Sequence, residues 1–213
     1  MTKSEYGETL GRAERALARR DPLLRQLIRT HGPCTLSPGW MHTPYQSLIR
    51  AVVYQQLSGK AAATIFKRFL DLFPGERFPS PERLVAADEA LLRTAGLSRQ
   101  KAAYIRAIAE QALAGVVPTR RAALKALADE EIIERIVTVK GVGRWTVEMM
   151  LIFTLGRLDV WPVDDYGVRK GYTAAARLDK LVMARELRAL GEAWTPYRSV
   201  AAWYFWRAAE AGK

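Results

Sequence analysis

Signals that begin helices recur along nearly the whole sequence, and no segment alternates apolar and polar residues between turns. Capping residues directly precede proline at Asp21-Pro22, Thr43-Pro44 and Ser80-Pro81, and proline is well tolerated at the first helical position. Strict alternation is the pattern of a half-buried strand, so its absence argues against a sheet. The pattern predicts an all-α protein of about eleven or twelve short helices joined by tight turns.

The chain is long enough to form two packed lobes. Its 213 residues, of which 49% are hydrophobic, suffice for one large domain or two small ones. We predict two helical lobes with a cleft between them. Residues 1–45 and 178–213 are expected to form one lobe. Residues 46–177 are expected to form the other, which carries a helix-hairpin-helix at residues 130–155.

Three residues near the first predicted lobe boundary are given local roles. Ser58 is predicted to cap a helix from Lys60 to Leu72, because serine accepts a hydrogen bond from the first turn. Trp40 and Tyr45 either line the cleft or pack in the core, and the sequence favours neither alternative.

The composition excludes several classes of protein. A single cysteine, Cys34, excludes a disulfide framework, a thiolate zinc site and a cluster held by four cysteines. His31 and His42 leave little room for a metal held by histidine. No apolar run reaches the roughly 18 residues of a membrane span, and the polar start, residues 1–8, does not resemble a secretory signal. We therefore expect a cytoplasmic protein with no membrane partner.

The charge points to a polyanionic partner. Lysine and arginine number 33 against 22 acidic residues, which gives a formal net charge of +11. A field of this sign attracts DNA, RNA or anionic lipid. The basic residues are spread along the chain, whereas a lipid-binding helix concentrates them on one face. The alternative is that the charge serves only solubility or follows from a composition rich in arginine and alanine.

The segment Lys140-Gly141-Val142-Gly143 joins two apolar helices through a very short turn. Its glycines permit left-handed backbone angles and a close approach to a ligand, while Val142 can anchor the turn in the core. The second helix, predicted from Arg144 to Leu155, begins with backbone amides that favour an anion. A partner with regular phosphates fits this arrangement better than a small substrate. An ordinary helix–helix connection is the alternative.

Two adjacent acids, Asp164 and Asp165, follow Trp161-Pro162-Val163 and precede another predicted helix. One carboxylate is enough to cap a helix, so the other is available for a different task. The alternative is that both acids cap the helix or pair with Arg169 and Lys170.

At these two segments the sequence resembles the helix-hairpin-helix glycosylases of base-excision repair. It is most similar to the 3-methyladenine DNA glycosylase II family, which excises alkylated bases. The matching blocks lie between Thr43 and Trp206. They are Tyr54-Gln55-Gln56-Leu57-Ser58-Gly59-Lys60-Ala61-Ala62, Val139-Lys140-Gly141-Val142-Gly143-Arg144-Trp145-Thr146, Asp159-Val160-Trp161-Pro162-Val163-Asp164-Asp165-Tyr166-Gly167-Val168-Arg169 and, more faintly, Trp194-Thr195-Pro196-Tyr197-Arg198-Ser199 with Trp206.

The resemblance implies an active site. Asp165 matches the catalytic residue of the family, and Asp164 is then expected to cap the helix. Trp145, Met149 and Trp206 match walls of a base pocket. The implied enzyme flips an alkylated nucleotide out of double-stranded DNA and hydrolyses its N-glycosidic bond.

The resemblance also implies a DNA interface and a structural ion. Either Gln56 or Leu57 is expected to fill the gap that the flipped nucleotide leaves. The implied DNA contacts are Gln56, Leu57, Gly141, Val142, Gly143, Arg144, Thr146 and Lys170, with the amides of Gly141, Gly143 and Thr146 on phosphate. The carbonyls of Val137, Val139 and Val142 match a site for Na⁺ or K⁺ that helps to hold a phosphate, while no cofactor is expected in the chemistry.

Two departures from the family pattern refine these expectations. Residues 1–40 are too few for the N-terminal β domain of some members. Trp145 stands where bifunctional relatives carry the lysine that attacks the sugar, which implies a monofunctional enzyme without lyase activity. We also expect a monomer. The alternatives are a non-catalytic DNA-binding protein that uses the hairpin as a phosphate clamp, or a glycosylase for other damaged bases.

Overall fold

The computed structural model describes residues 2–39, 42–57 and 59–211. These residues form twelve α-helices and no strand, which confirms the all-helical prediction. None of these helices is both long enough and apolar enough to cross a membrane. The helices are α1 (Lys3–Arg20), α2 (Pro22–His31), α3 (Pro44–Tyr54), α4 (Gly59–Asp71), α5 (Pro81–Ala86), α6 (Glu89–Thr94), α7 (Arg99–Leu113), α8 (Asp129–Ile136), α9 (Arg144–Met150), α10 (Tyr166–Ala175), α11 (Ala184–Leu190) and α12 (Arg198–Ala211).

The chain folds as two compact units. The terminal unit contains the described residues up to Pro38 and those from Leu151 onward, and the central unit contains those from Gly39 to Met150. The predicted boundaries, after residues 45 and 177, differ from these. As a result, Asp165 belongs to the terminal unit and not to the unit of the hairpin.

The contact between α10 and α12 explains why the predicted boundary is displaced. A Cβ atom added to Gly171 of α10 would lie 1.7 Å from the carbonyl oxygen of Phe205 in α12. Glycine therefore lets the two backbones approach closely. Helix packing thus joins α10 to the C-terminal helix and places it in the terminal unit.

The core of the terminal unit is aromatic. The side chains of Trp194, Tyr204 and Phe205 are almost completely buried. Asp21 links two elements of this core, because its carboxylate accepts the Leu23 amide at 2.7 Å and the indole Nε1–H of Trp194 at 2.7 Å. The same acid thus caps α2 and satisfies the polar atom of a buried tryptophan.

The central unit is built around α3. Leu48, Ile49, Val52 and Val53 of this helix are fully buried. Tyr45 is 3% exposed and donates its hydroxyl to the carbonyl of Pro79 at 3.2 Å, so of its two interpretations core packing is correct. The predicted roles of Trp40 and Ser58 fall on residues outside the described part of the chain.

The helix after the hairpin changes its winding before its predicted end. Helix α9 stops at Met150, and a π-helical turn follows at Leu151–Leu155. Such turns shift the face that side chains present and are frequent at functional sites. Here the turn carries Phe153, whose side chain remains 41% exposed.

Candidate active site

Asp165 is the N-cap of α10 and is 9% exposed. Its Oδ1 atom accepts the backbone amide of Val168 at 2.8 Å and the indole Nε1–H of Trp206 at 2.8 Å. The expectation that Asp164 caps this helix is wrong: Asp164 is exposed, and Asp165 is the residue directly before the first helical residue, Tyr166. The acid matched to catalysis therefore also caps the helix, and the helix holds its side chain in place.

An aromatic pair extends this arrangement. The rings of Trp206 and Phe153 are stacked, with 5.4 Å between centroids and 29° between planes. The π-helical turn brings Phe153 to this position. Trp206 thus donates its indole N–H to the Asp165 carboxylate and stacks one face of its ring on Phe153.

A cavity of about 490 Å³ lies in the terminal unit beside this pair. That volume is within the usual range for a small-molecule site. Its aromatic walls are combined with charged groups. The lining residues are Thr35, Leu36, Ser37, Phe153, Tyr166, Gly167, Lys170, Trp203, Trp206, Arg207, Ala209 and Glu210. A flat apolar ligand that carries positive charge would find rings to stack on there.

The hairpin lies in the central unit, between α8 and α9. The amide of Val142 donates to the carbonyl of Val139 at 3.0 Å, and both valine side chains are almost fully buried. Gly141 has φ of +86°, a left-handed conformation that favours glycine. The buried valines anchor the turn, as the sequence predicted for Val142.

The amides of the hairpin divide into two groups. Within the described residues, those of Gly141 and Gly143 donate to no acceptor, whereas Thr146 donates its amide to the Gly143 carbonyl at 3.0 Å. The expectation of a free amide at Thr146 is therefore wrong, because the first turn of α9 uses it. Gly141 and Gly143 keep donors that can meet an anion.

Arg144 is engaged by carboxylates on both sides of the hairpin. Its guanidinium donates to both oxygens of Glu130 at 2.6 Å and, through Nε, to Glu148 at 3.1 Å. These hydrogen bonds, those to Glu130 above all, raise the pKa of Arg144. The residue links the two helices that flank the hairpin, so any contact to DNA competes with these internal bonds.

The segment Gln55-Gln56-Leu57, here called the wedge loop, follows α3 in the same unit. Gln56 has a left-handed φ of +56°, and Leu57 is 39% exposed. The side-chain amide of Gln55 donates to the carbonyl of Gly141 at 3.4 Å. The wedge loop and the hairpin, which are far apart in sequence, are therefore in contact.

The model of the HhH-GPD superfamily of base excision DNA repair proteins matches residues 49–196. This chain belongs to that superfamily. It is 39% identical over 206 residues to DNA-3-methyladenine glycosylase 1 of Schizosaccharomyces pombe, covering 96% of this chain and 90% of the relative. Within the superfamily it is a member of the 3-methyladenine DNA glycosylase family.

Two solved structures agree with this assignment. The S. pombe 3-methyladenine DNA glycosylase in complex with abasic DNA superposes with a TM-score of 0.82 at 39% identity, covering 92% of this chain and 95% of that one. A DNA-3-methyladenine glycosidase from Bacillus halodurans gives 0.79 at 35% identity, covering 91% and 87%. The predicted helix-hairpin-helix glycosylase fold is confirmed.

The predicted base-pocket residues of this HhH-GPD protein are distributed over its two units. Trp206 lies in the terminal unit, hydrogen-bonded to Asp165. Trp145, which is 43% exposed, and Met149, which is half-buried, lie in the central unit. Phe153 was not among the predicted pocket residues. Its only signal was its position one turn beyond Met149, and the π-helical turn that exposes it has no sequence signature.

Proposed function

We propose that this chain is a monofunctional DNA-3-methyladenine glycosylase that removes alkylated purines from double-stranded DNA in base excision repair. The observation that carries the proposal is the Asp165 carboxylate, held by the Trp206 indole beside a cavity with aromatic walls. A phosphate clamp without catalysis has no use for such a group, because a carboxylate repels DNA phosphates. Family membership supports the same reaction.

Access to the glycosidic bond requires that the nucleotide leave the helix. A base inside a duplex hides this bond, so the enzyme extrudes the nucleotide, at a cost of a few kcal/mol that is lower for a damaged base. The wedge loop supplies Gln56 and the exposed Leu57 to fill the vacated space. The unbonded amides of Gly141 and Gly143 meet a phosphate, and Lys170 adds positive charge.

The extruded base is recognised by its charge and its flat shape. Purines alkylated at N3 or N7 carry positive charge, and a cation over an indole ring gains about 0.5–2 kcal/mol. Trp206, stacked on Phe153, offers such a face, and Trp145 offers an exposed indole. Met149, which the resemblance matches to a pocket wall, has a flexible thioether that would adapt to different lesions.

Asp165 acts on the positive charge that develops on the sugar. As the bond from C1′ to the base nitrogen breaks, its electron pair leaves with the base and the sugar becomes cationic. The carboxylate stabilises this cation and takes the proton of the water that attacks C1′. The products are the free base and an abasic site. The charged base is already a good leaving group, so no strong general acid is needed.

Trp145 decides between hydrolysis and strand cleavage. A lyase needs an amine that forms a Schiff base with the sugar, and an indole nitrogen cannot do so. We therefore infer that the enzyme leaves an intact abasic strand. It is inferred to work as a monomer on chromosomal DNA, in the cytoplasm and associated with the nucleoid.

A monovalent cation at the hairpin fits the donor set. The carbonyls of Val137, Val139 and Val142 are neutral oxygens, and a set without carboxylates suits Na⁺ or K⁺ better than a divalent ion. When bound, the ion would add positive charge where phosphate lies. No step of the reaction depends on it.

The direct test is base release from methylated duplex DNA by the purified protein. We expect 3-methyladenine and 7-methylguanine in the supernatant, identified by chromatography, and strand breaks only after treatment with alkali. Binding of DNA without release of any base would support the clamp alternative. Cleavage without alkali, or release of oxidised bases only, would support a glycosylase of another kind.

The indole donor to Asp165 can be tested by Trp206→Phe, which keeps a ring but removes the N–H group. Because a hydrogen bond to a charged group contributes about 1.5–3 kcal/mol, we expect base release to slow by roughly tenfold or more in single-turnover assays. The matched control is Trp194→Phe, which removes an indole N–H from another aspartate, Asp21, in the same unit. The control should lower the melting temperature without slowing release. Equal slowing in both variants would contradict the assignment.

A further inference from the structure

One helix contacts both parts of the DNA interface in the central unit. Helix α7 carries Lys101, whose ammonium donates to the carbonyl of Val53 at 2.8 Å and to that of Gln55 at 2.6 Å. Helix α3 ends at Tyr54, and the last carbonyls of a helix have no amide partner within it. Lys101 therefore caps the C-terminal end of α3, where positive charge is favourable.

Three residues further along α7, Tyr104 lies beneath the hairpin. A Cβ atom added to Gly141 would be 2.2 Å from Cγ of the Tyr104 ring, so the turn rests directly on this ring. The hydroxyl of Tyr104 accepts a hydrogen bond from the side chain of Gln100. The same helix thus touches the wedge loop through an ammonium group and the hairpin through an aromatic ring.

The wedge loop and the hairpin, which both contact α7, also contact each other. Gln55, whose carbonyl accepts from Lys101, donates its side-chain amide to Gly141 at 3.4 Å. The next residue, Gln56, is held in a left-handed conformation that non-glycine residues rarely adopt. Such a conformation persists only where the surroundings determine it. The two bonds from Lys101 provide that restraint immediately before Gln56.

We propose that Lys101 is a positioning residue. It fixes the wedge loop in the conformation that enters the duplex and keeps the loop in contact with the hairpin. The proposal rests on the proposed function. Lys101 does not touch the reacting atoms and acts through Gln55 and Gln56. Partial desolvation lowers the pKa of Lys101, which agrees with an ammonium directed toward protein oxygens and not toward water.

The proposal predicts a defect that depends on the form of the DNA. A wedge is needed to expel a base from a duplex, whereas a base in a single strand needs no gap to be filled. We expect Lys101→Met to lower the single-turnover rate of 7-methylguanine release from duplex DNA by about tenfold, the effect of losing a charged donor. The rate on the same oligonucleotide as a single strand should be unchanged, so the ratio of the two rates falls.

Two further variants and one optical signal complete the experiment. Lys101→Arg retains a charged donor and should restore most of the ratio. Lys67→Met removes one positive charge from an exposed surface pair with Asp71 in the same unit and should leave the ratio unchanged. Fluorescence of 2-aminopurine placed next to the lesion reports unstacking directly, and Lys101→Met should reduce its increase.

The outcomes separate this proposal from the proposed function. An unchanged ratio in Lys101→Met, or an equal loss on both DNA forms, would overturn the positioning role. If the unmodified protein released no base from either form, the proposed function would fail. The 2-aminopurine signal would then still decide the role of Lys101, because it measures DNA distortion without chemistry.

Discussion

Replacing Asp165 with asparagine is expected to slow the release of 3-methyladenine from methylated duplex DNA by at least about 100-fold, the scale on which removal of one preorganised electrostatic group acts. The folded structure should persist. Both hydrogen bonds described for the side chain are accepted by Oδ1, and the amide oxygen of asparagine can accept the same two donors. Asparagine also caps helices about as well as aspartate does. The variant thus removes the negative charge and leaves the geometry in place.

The measurement is single-turnover base release, with DNA affinity and melting temperature determined on the same preparations. Affinity should be equal or slightly higher, because a group that repels phosphate has been neutralised. Asp164→Asn is the matched control: it makes the same chemical change at the exposed neighbouring position and should release base at the original rate. A fully active Asp165→Asn, or an equally inactive Asp164→Asn, would remove the role assigned to Asp165.

The parts of the site that the sequence predicted are those encoded by local chemistry. The hairpin was recognisable because two glycines one residue apart, Gly141 and Gly143, lie between two apolar helices, although only Gly141 adopts a left-handed conformation. The capping pattern of acids before a helix located the pair Asp164-Asp165, and the resemblance to the family singled out Asp165 within it. The sequence did not distinguish which of Asp164 and Asp165 is the cap. That distinction depends on which residue starts α10, and helix ends are poorly defined by sequence.

Long-range packing accounts for what the sequence did not reveal. The unit to which α10 belongs depends on how closely Gly171 approaches the backbone of α12, and no local pattern encodes that contact. Phe153 reaches Trp206 only because α9 changes its winding at Met150. Lys101 is one of 33 lysines and arginines in the sequence, and only the fold brings it to the end of α3.

Helix α1 is a different case, because its signal was present and was not used. No helix start was predicted before Asp21, yet Tyr6, Leu10, Ala13 and Leu17 recur at helical spacing and are buried in the terminal unit. The remainder of that segment is strongly charged, which hides the apolar face. A count of apolar positions at spacings of three and four would have found it.

Replacing Gly141 with alanine is expected to deform the hairpin and to weaken DNA binding by at least about tenfold. A side chain at φ of +86° costs roughly 1–2 kcal/mol. The added Cβ would also lie 2.2 Å from the Tyr104 ring, and overpacking of this kind typically costs about 1–3 kcal/mol. Because the turn must move away from Tyr104, the amides of Gly141 and Gly143, which we propose to bind phosphate, are displaced. Fluorescence anisotropy with duplex DNA, together with thermal unfolding, measures both effects.

Gly115→Ala separates the two causes, because Gly115 has a similar φ of +79° and no atom within 4 Å of an added Cβ. That variant should lose only the stability that the backbone conformation costs and should bind DNA normally. Adding Tyr104→Ala to Gly141→Ala removes the ring that the new methyl group meets, and it should recover part of the lost affinity. If Gly141→Ala bound DNA as tightly as the unmodified protein, the hairpin would tolerate displacement, and its amides would not be the groups that hold the phosphate.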